Sequence, residues 1–163
     1  MQTLSQLSAI IEKELRKIQL PDSPSKLYQP IDYVMGLGGK RMRPILLLMA
    51  HQLFDENIEK AISPALGIEI FHNFTLLHDD IMDNAPIRRG KQTVHEKWNK
   101  NVAILSGDTM LVQAYQLLSD VEKSIVKELI AVFSKAATQV CEGQQWDMDF
   151  ETQENVQLSD YMK

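Results

Sequence analysis

The stretch SPALGIEIFHNFTLLHDDIMDNAP, residues 63–86, decides the fold, because it is a long apolar segment that ends in a cluster of acids. Apart from one glycine near its start, it contains no helix breaker until Pro86. Ser63 followed by Pro64 is a favourable helix start, with an N-cap residue and then a proline at the first helical position. We therefore predict a helix from Pro64 to about Asn84.

The flanking sequence repeats the same three- and four-residue apolar spacing, which is typical of amphipathic helices. No strand-like alternation lasts long enough to build a sheet. The sequence therefore predicts an all-α fold, a single helical domain over residues 1–163, with another helix beginning near Leu158. Besides the central helix, the predicted helical segments are residues 4–18, 27–35, 44–54, 102–118 and about 120–146.

Composition excludes several classes of protein. The 163 residues carry 17 Lys+Arg and 22 Asp+Glu, a formal net charge of -5, so the broad basic footprint of a nucleic-acid-binding domain is absent. With only Cys141, the chain forms neither an internal disulfide nor a multi-cysteine zinc site. Its longest apolar run, residues 44–50, is far shorter than the ~20 residues of a transmembrane helix. We expect a cytoplasmic protein with no nucleic-acid partner and no transmembrane segment.

The acidic end of the central helix predicts a metal site. Asp79 and Asp83 are four residues apart, so they project from one helix face, with Asp80 beside them. Two like charges at this spacing destabilise a helix unless a cation lies between them. Magnesium is commonly held by one or two carboxylates together with substrate phosphates. A solvated acidic patch is the alternative, and the apolar neighbours of these acids disfavour it.

Two basic clusters lie where such phosphates would need partners. Residues 40–43 place Lys40, Arg41 and Arg43 between a glycine pair and a proline, which predicts a phosphate cradle at a helix N-terminus. Residues 88–90, Arg-Arg-Gly, follow the acids, and arginine binds phosphate oxygens bidentately. Either cluster alone is typical of a solvated surface. His72 lies two turns before Asp79 and can contact the same ligand, although a lone histidine is as often structural.

Three segments together resemble a known family. GGKRMRP (residues 38–44), LLHDDIMD (76–83) and RRG (88–90) are similar in order and spacing to the signatures of trans-isoprenyl diphosphate synthases. Terpene cyclases share the acidic motif, but the first and third segments are typical of the chain-elongating synthases. SGD at residues 106–108 and EGQQWD at 142–147 also resemble segments of this family.

The resemblance implies an isoprenoid synthase-type helical bundle, here its N-terminal portion only. It implies a homodimer that condenses isopentenyl diphosphate with an allylic diphosphate in the presence of Mg²⁺. Asp79 and Asp83, with Asp80 beside them, would bind magnesium. Arg88 would hold the allylic diphosphate. The isopentenyl diphosphate site would comprise Lys40, Arg43, His72 and Arg89.

Phe74 bears on the length of the product. It lies five residues, or about 7.5 Å of helix rise, before Asp79. The chain resembles the short-chain members of the family at this position. In those members an aromatic ring here forms the floor of the hydrocarbon pocket and limits the length of the product. We expect a geranylgeranyl or farnesyl product. The alternative is that Phe71 and Phe74 are ordinary core residues.

The chain departs from the family pattern in one respect. Family members are much longer and carry a second Asp-rich motif, and the acids after Asp83 do not reproduce one. We therefore expect the N-terminal half of a synthase, with exposed apolar faces that promote association and with little activity alone. Two alternatives remain: a non-catalytic helical subunit that modulates a full-length synthase, and a fragment of a terpene cyclase.

Overall fold

The computed structural model describes residues 2–162. Within that range the chain forms eight helices and one short hairpin, which confirms the all-α prediction. The helices are α1 (Leu4–Leu15), α2 (Ser25–Gly36), α3 (Met42–His51), α4 (Glu59–Met82), α5 (Val94–Lys97), α6 (Lys100–Ser119), α7 (Lys123–Thr152) and α8 (Leu158–Tyr161). The hairpin strands are β1 (Ile87–Arg88) and β2 (Lys91–Gln92).

Helix α4 is the centre of the first part of the chain. Its 24 residues include buried side chains on several sides, as expected for a helix that is apolar around most of its circumference. Helices α1 and α3 pack on its first half and form one apolar cluster with it. Helices α2, α5 and α6 pack with its second half and form another. The acidic end of α4 is therefore carried on a helix that is held firmly by its neighbours.

The predicted start of this helix is wrong by about one turn. Helix α4 begins at Glu59, and Pro64 lies inside it. Asn57 precedes the helix, and its side-chain oxygen accepts a hydrogen bond from the amide of Glu59 at 3.2 Å. The Ser63 hydroxyl does not cap the helix but donates to the carbonyl oxygen of Leu117 at 3.0 Å. A tertiary partner therefore replaced the local cap that the sequence suggested.

The hairpin was not predicted. Ile87 pairs with Gln92 and Arg88 with Lys91, in antiparallel register. The two turn residues between them both have positive φ, 53° at Arg89 and 74° at Gly90. This is the type I′ geometry that joins strands through a two-residue turn. The Arg-Gly pair thus serves the turn as well as the charge pattern.

Contacts divide the chain into two compact units, Met1–Val126 and Lys127–Lys163. The first contains α1 to α6 and all the predicted site residues. The second contains the greater part of α7 together with α8, which begins at Leu158 as the sequence predicted. The prediction of a single domain over residues 1–163 stays a prediction. Among residues 2–162, no helix has both the length and the apolar character needed to cross a bilayer.

Candidate functional site

The three acids of the motif lie at the C-terminal end of α4. Asp79 and Asp80 are in its last turn, and Asp83 is the residue immediately after it. The amide of Asp83 donates to the carbonyl oxygen of Asp79 at 2.9 Å, so the helical conformation continues through the motif. Asp79 and Asp83 are therefore one turn apart along the same helix.

Arg88 on β1 bridges two of these acids. Its Nε donates to Asp80 Oδ1 at 2.7 Å, and its Nη2 donates to Asp79 Oδ2 at 3.0 Å. The pKa of Asp80 is raised, because burial of its carboxyl group outweighs the stabilisation of the charged form by Arg88. The hairpin thus positions Arg88 to form an ion pair with Asp80, the most buried acid of the motif.

The free carboxylate oxygens decide whether the motif fits magnesium. Within residues 2–162 the Asp83 side chain has no hydrogen-bond or ion-pair partner, and Asp79 has one oxygen engaged by Arg88. The described residues contain no group of three or more ligating side chains that would hold a metal by themselves. Two available carboxylates fit Mg²⁺, which takes few protein ligands and fills its shell with phosphate and water. Two carboxylates are too few for a cation that takes most of its ligands from the protein.

The two basic clusters converge on one pocket of about 320 Å³. Arg89 reaches it from the hairpin and lies against Gly39 of the loop before α3. A Cβ at Gly39 would be 3.1 Å from the terminal nitrogens of Arg89, so glycine leaves the room that the guanidinium occupies. The residues lining the pocket are Gly39, Lys40, Arg41, Met42, Arg43, Glu69, His72 and Arg89. All four residues of the predicted isopentenyl diphosphate site lie there.

His72 lies beside Arg43 in this pocket. Arg43 Nη1 donates to His72 Nε2 at 3.2 Å. Burial and the neighbouring charge of Arg43 lower the pKa of His72, so the ring is neutral near pH 7. A neutral ring can accept the hydrogen bond from Arg43, and the guanidinium keeps its proton and its charge.

The prediction that Lys40, Arg41 and Arg43 together form a phosphate cradle is wrong for Arg41. Its side chain is buried, and it donates from Nε to Glu12 at 2.9 Å, from Nη1 to Glu69 at 2.7 Å and from Nη2 to the Met35 carbonyl oxygen at 3.0 Å. Burial lowers its pKa, but the hydrogen bonds to the two carboxylates more than compensate and raise it. Lys40, in the loop, and Arg43, in the first turn of α3, are exposed and remain the two cations of this segment that face solvent.

Two polar residues of the site were missed in the sequence. Glu69 and Asn73 of α4 are 2% and 1% exposed; Glu69 lines the pocket, and Asn73 Nδ2 donates to Glu69 Oε1 at 3.1 Å. The signal was present, because Glu69 is a lone acid within the apolar run LGIEIF and Asn73 follows it by one helical turn. A buried carboxylate needs a cationic partner, and the arginine cluster offered one.

Phe74 lies on α4 between His72, which lines the basic pocket, and Asp79, the first acid of the motif. Its ring is half-buried and contacts Phe71 and His78 at centroid distances of 5.6 Å and 4.7 Å. His78 in turn packs against Gly107 of α6 so closely that a Cβ there would overlap its ring. These contacts show how Phe74 is held, and its role in chain length stays a prediction.

Comparison with known proteins decides the family. The family model of the polyprenyl synthetases matches residues 24–163. The chain belongs to the polyprenyl synthetase family. It is 45% identical over 142 residues to a geranylgeranyl diphosphate synthase of Methanosarcina mazei, an alignment that covers 86% of this chain and 44% of that protein.

Solved structures agree with this family membership. A crystal structure of a geranylgeranyl pyrophosphate synthase superposes with a TM-score of 0.95 at 48% identity, over 99% of this chain and 49% of the other. The geranylgeranyl pyrophosphate synthetase of the archaeon Geoglobus acetivorans gives 0.88 at 36% identity, over 98% and 53%. This polyprenyl synthetase chain therefore spans about half the length of the relatives it matches, and the fold is that of an isoprenoid synthase.

Proposed function

We propose that this chain is the N-terminal half of a Mg²⁺-dependent prenyltransferase that condenses isopentenyl diphosphate with an allylic diphosphate to give a short-chain prenyl diphosphate. The observation that carries the proposal is the basic pocket beside the acidic end of α4. That pocket gathers four predicted residues from three segments, namely Lys40, Arg43, His72 and Arg89. Such an arrangement provides two adjacent sites for diphosphate groups. Cationic side chains would bind one diphosphate in the pocket, and a metal ion on the carboxylates would bind the other.

Each group has a defined task in this reaction. Lys40, Arg43 and Arg89 bind the diphosphate of isopentenyl diphosphate, and His72 orients Arg43 through their hydrogen bond. Asp79 and Asp83 would hold magnesium, which neutralises the oxygens of the allylic diphosphate and so makes it a better leaving group.

Arg88 assists departure of the allylic diphosphate when it turns from Asp79 towards those oxygens. The C–O bond to diphosphate breaks, the alkene attacks the allylic cation, and loss of a proton restores a double bond.

Three broader features also belong to this proposal. The complete protein acts in the cytoplasm as a homodimer, and the isolated chain is a poor catalyst because it has no second Asp-rich motif. Exposed apolar side chains on α3 and α6 are consistent with association. They include Leu46, Met49, Ile104, Leu105 and Val112.

The proposal is tested by the acids of α4. In the double variant Asp79→Ala, Asp83→Ala, we expect Mg²⁺-dependent binding of a non-hydrolysable allylic thiodiphosphate, measured by calorimetry, to be lost. Helicity by circular dichroism should remain that of the parent chain. The matched control is Asp22→Ala, Asp32→Ala, which removes the same charge from exposed positions and should keep the affinity. Unchanged affinity in the first variant would refute the metal assignment.

Product length is tested at Phe74. In a complete synthase that carries this chain as its first half, Phe74→Ala should lengthen the extracted prenyl product, because the ring no longer limits the pocket. Leu77→Ala is the control, since it shortens a fully buried side chain on the same helix without opening that position. A product of the same length from Phe74→Ala would assign Phe74 to the core.

A further inference from the structure

Lys40 lies in the loop before α3 and Arg43 in the first turn of α3, and between them the side chain of Arg41 anchors this segment to the protein interior. Arg41 lies between these two cations in sequence and points the opposite way, into the protein. Its backbone has a φ of 49°, a left-handed conformation that residues with a Cβ rarely adopt. The two residues before Lys40, Gly38 and Gly39, have positive φ as well, and glycine has wide conformational freedom in the unfolded chain.

Arg41 forms hydrogen bonds with residues of three helices. Its guanidinium donates to Glu12 of α1, to the carbonyl oxygen of Met35 near the end of α2, and to Glu69 of α4. The shortest of these bonds, 2.7 Å, joins it to Glu69, and both side chains are only 3% exposed. The direction of the Arg41 side chain therefore depends on a buried ion pair.

Glu69 is itself fixed on α4. Asn73 Nδ2 donates to Glu69 Oε1 at 3.1 Å and to the Glu69 carbonyl oxygen at 2.8 Å. The carboxylate is thus locked between an amide of its own helix and the guanidinium of the loop. Removing one partner of such a buried pair leaves the other charge uncompensated, so the pair holds both side chains in this arrangement.

The position of Glu69 is unexpected on electrostatic grounds. It is the one carboxylate among the described residues that line the basic pocket, where its charge opposes the binding of an anion. We propose that Glu69 is a positioning residue: through Arg41 it sets the loop so that Lys40 and Arg43 face a diphosphate bound in the pocket. The inference rests on the proposed function and adds to it a residue that does not touch the substrate.

A positioning role and a purely electrostatic role predict opposite effects of a Glu69 substitution on the affinity for an anion. Glu69→Gln removes a negative charge next to the pocket, so Coulomb attraction by itself predicts tighter binding of an anion. Loss of positioning predicts weaker binding. We expect the affinity of the chain for inorganic diphosphate, measured by calorimetry, to fall at least about tenfold, equivalent to about 1.4 kcal/mol. An equal or higher affinity would overturn the proposal.

The matched control is Glu59→Gln, at an exposed position in the first turn of the same helix. It makes the same chemical change without touching Arg41, and it should leave the affinity unchanged. Arg41→Met, Glu69→Met removes the buried charges together. We expect this double variant to recover thermal stability relative to Glu69→Gln but not affinity. Recovery of both would assign the pair a structural role only and overturn the proposal.

A second readout needs no ligand. Backbone order parameters from NMR relaxation at residues 39–43 should fall in Glu69→Gln from the rigid value of about 0.85 to below about 0.6, while those of α4 hold. Unchanged order at residues 39–43 would contradict the positioning role. If the parent chain binds neither diphosphate nor the allylic analogue, the proposed function fails, and the order parameters still decide whether Glu69 fixes the loop.

Discussion

The acidic end of α4 and the basic pocket contain similar numbers of charged groups but arrange them differently. At the acidic end Arg88 is already paired with both Asp79 and Asp80, and among the described residues only Asp83 of the motif has no partner. In the basic pocket Lys40, Arg43 and Arg89 line one cavity. Among residues 2–162 no carboxylate lies within ion-pair distance of Lys40, Arg43 or Arg89, because Glu69 is taken by Arg41.

This difference indicates how each region responds to an anion. The basic pocket has cations without counter-charges, so an incoming diphosphate relieves their mutual repulsion and no internal bond must break. At the acidic end a diphosphate meets carboxylates first, so we expect it to bind only when a metal ion neutralises them and Arg88 is released from at least one acid. We therefore expect metal-independent binding in the pocket and metal-dependent binding at the acids.

The largest effect is expected from removing the unpaired cations. Lys40→Ala, Arg43→Ala should weaken binding of isopentenyl diphosphate about 100-fold or more, since each charged hydrogen bond to phosphate is worth roughly 1.5–3 kcal/mol. Calorimetry without Mg²⁺ measures this directly. Mg²⁺-dependent binding of the allylic thiodiphosphate serves as the control and should persist. Loss of both affinities would mean that the two regions are not separate sites.

A smaller effect is expected from opening the paired region. Arg88→Ala leaves the Asp80 carboxylate, 8% exposed, without its ion-pair partner, so the free energy of unfolding should fall by about 1–3 kcal/mol. Arg89→Ala, the next residue and exposed, should change stability by less than about 0.5 kcal/mol. Urea titration of both variants provides the test. Equal losses of stability would remove the distinction between a paired and an unpaired arginine.

The smallest effect concerns pH. The pKa of His72 is lowered in the folded chain, so the unfolded chain binds more protons as pH falls through about 6.5. His72 therefore contributes stability above this range, and the contribution is lost as pH falls towards the folded pKa. The free energy of unfolding should decline more steeply in the parent than in His72→Asn as pH falls through and below about 6.5. Parallel pH profiles would contradict the assignment.

Local sequence was a sound guide wherever local forces decide. The greater part of the central helix follows from an apolar run with no breaker after Gly67, and the spacing of Asp79 and Asp83 follows from helix geometry. The resemblance assigned residues of two segments, Lys40 and Arg43 of 38–44 and Arg89 of 88–90, to one diphosphate site, and these three line one pocket. What brought them together in the prediction was the resemblance of their order to a family, because neither segment by itself specifies a partner.

The errors arise where a tertiary contact overrides a local preference. Ser63 has the right chemistry for an N-cap, but its hydroxyl bonds to the Leu117 carbonyl and the helix begins earlier. The turn at Arg89 takes a left-handed conformation in a residue that does not favour it, because β1 and β2 pair on either side. Neither outcome can be derived from a window of a few residues.

The sequence alone determined that this protein is helical, where its acids and cations lie along the chain, and which family it resembles. Those properties depend on periodicity and on residue order, which are local. Only the tertiary structure decided which partner each arginine has: Arg41 is buried on Glu69, Arg88 is paired with the acids, and Arg43 is hydrogen-bonded to His72. Equal side chains differ in this way because burial and the nearest opposite charge are set by packing between distant segments.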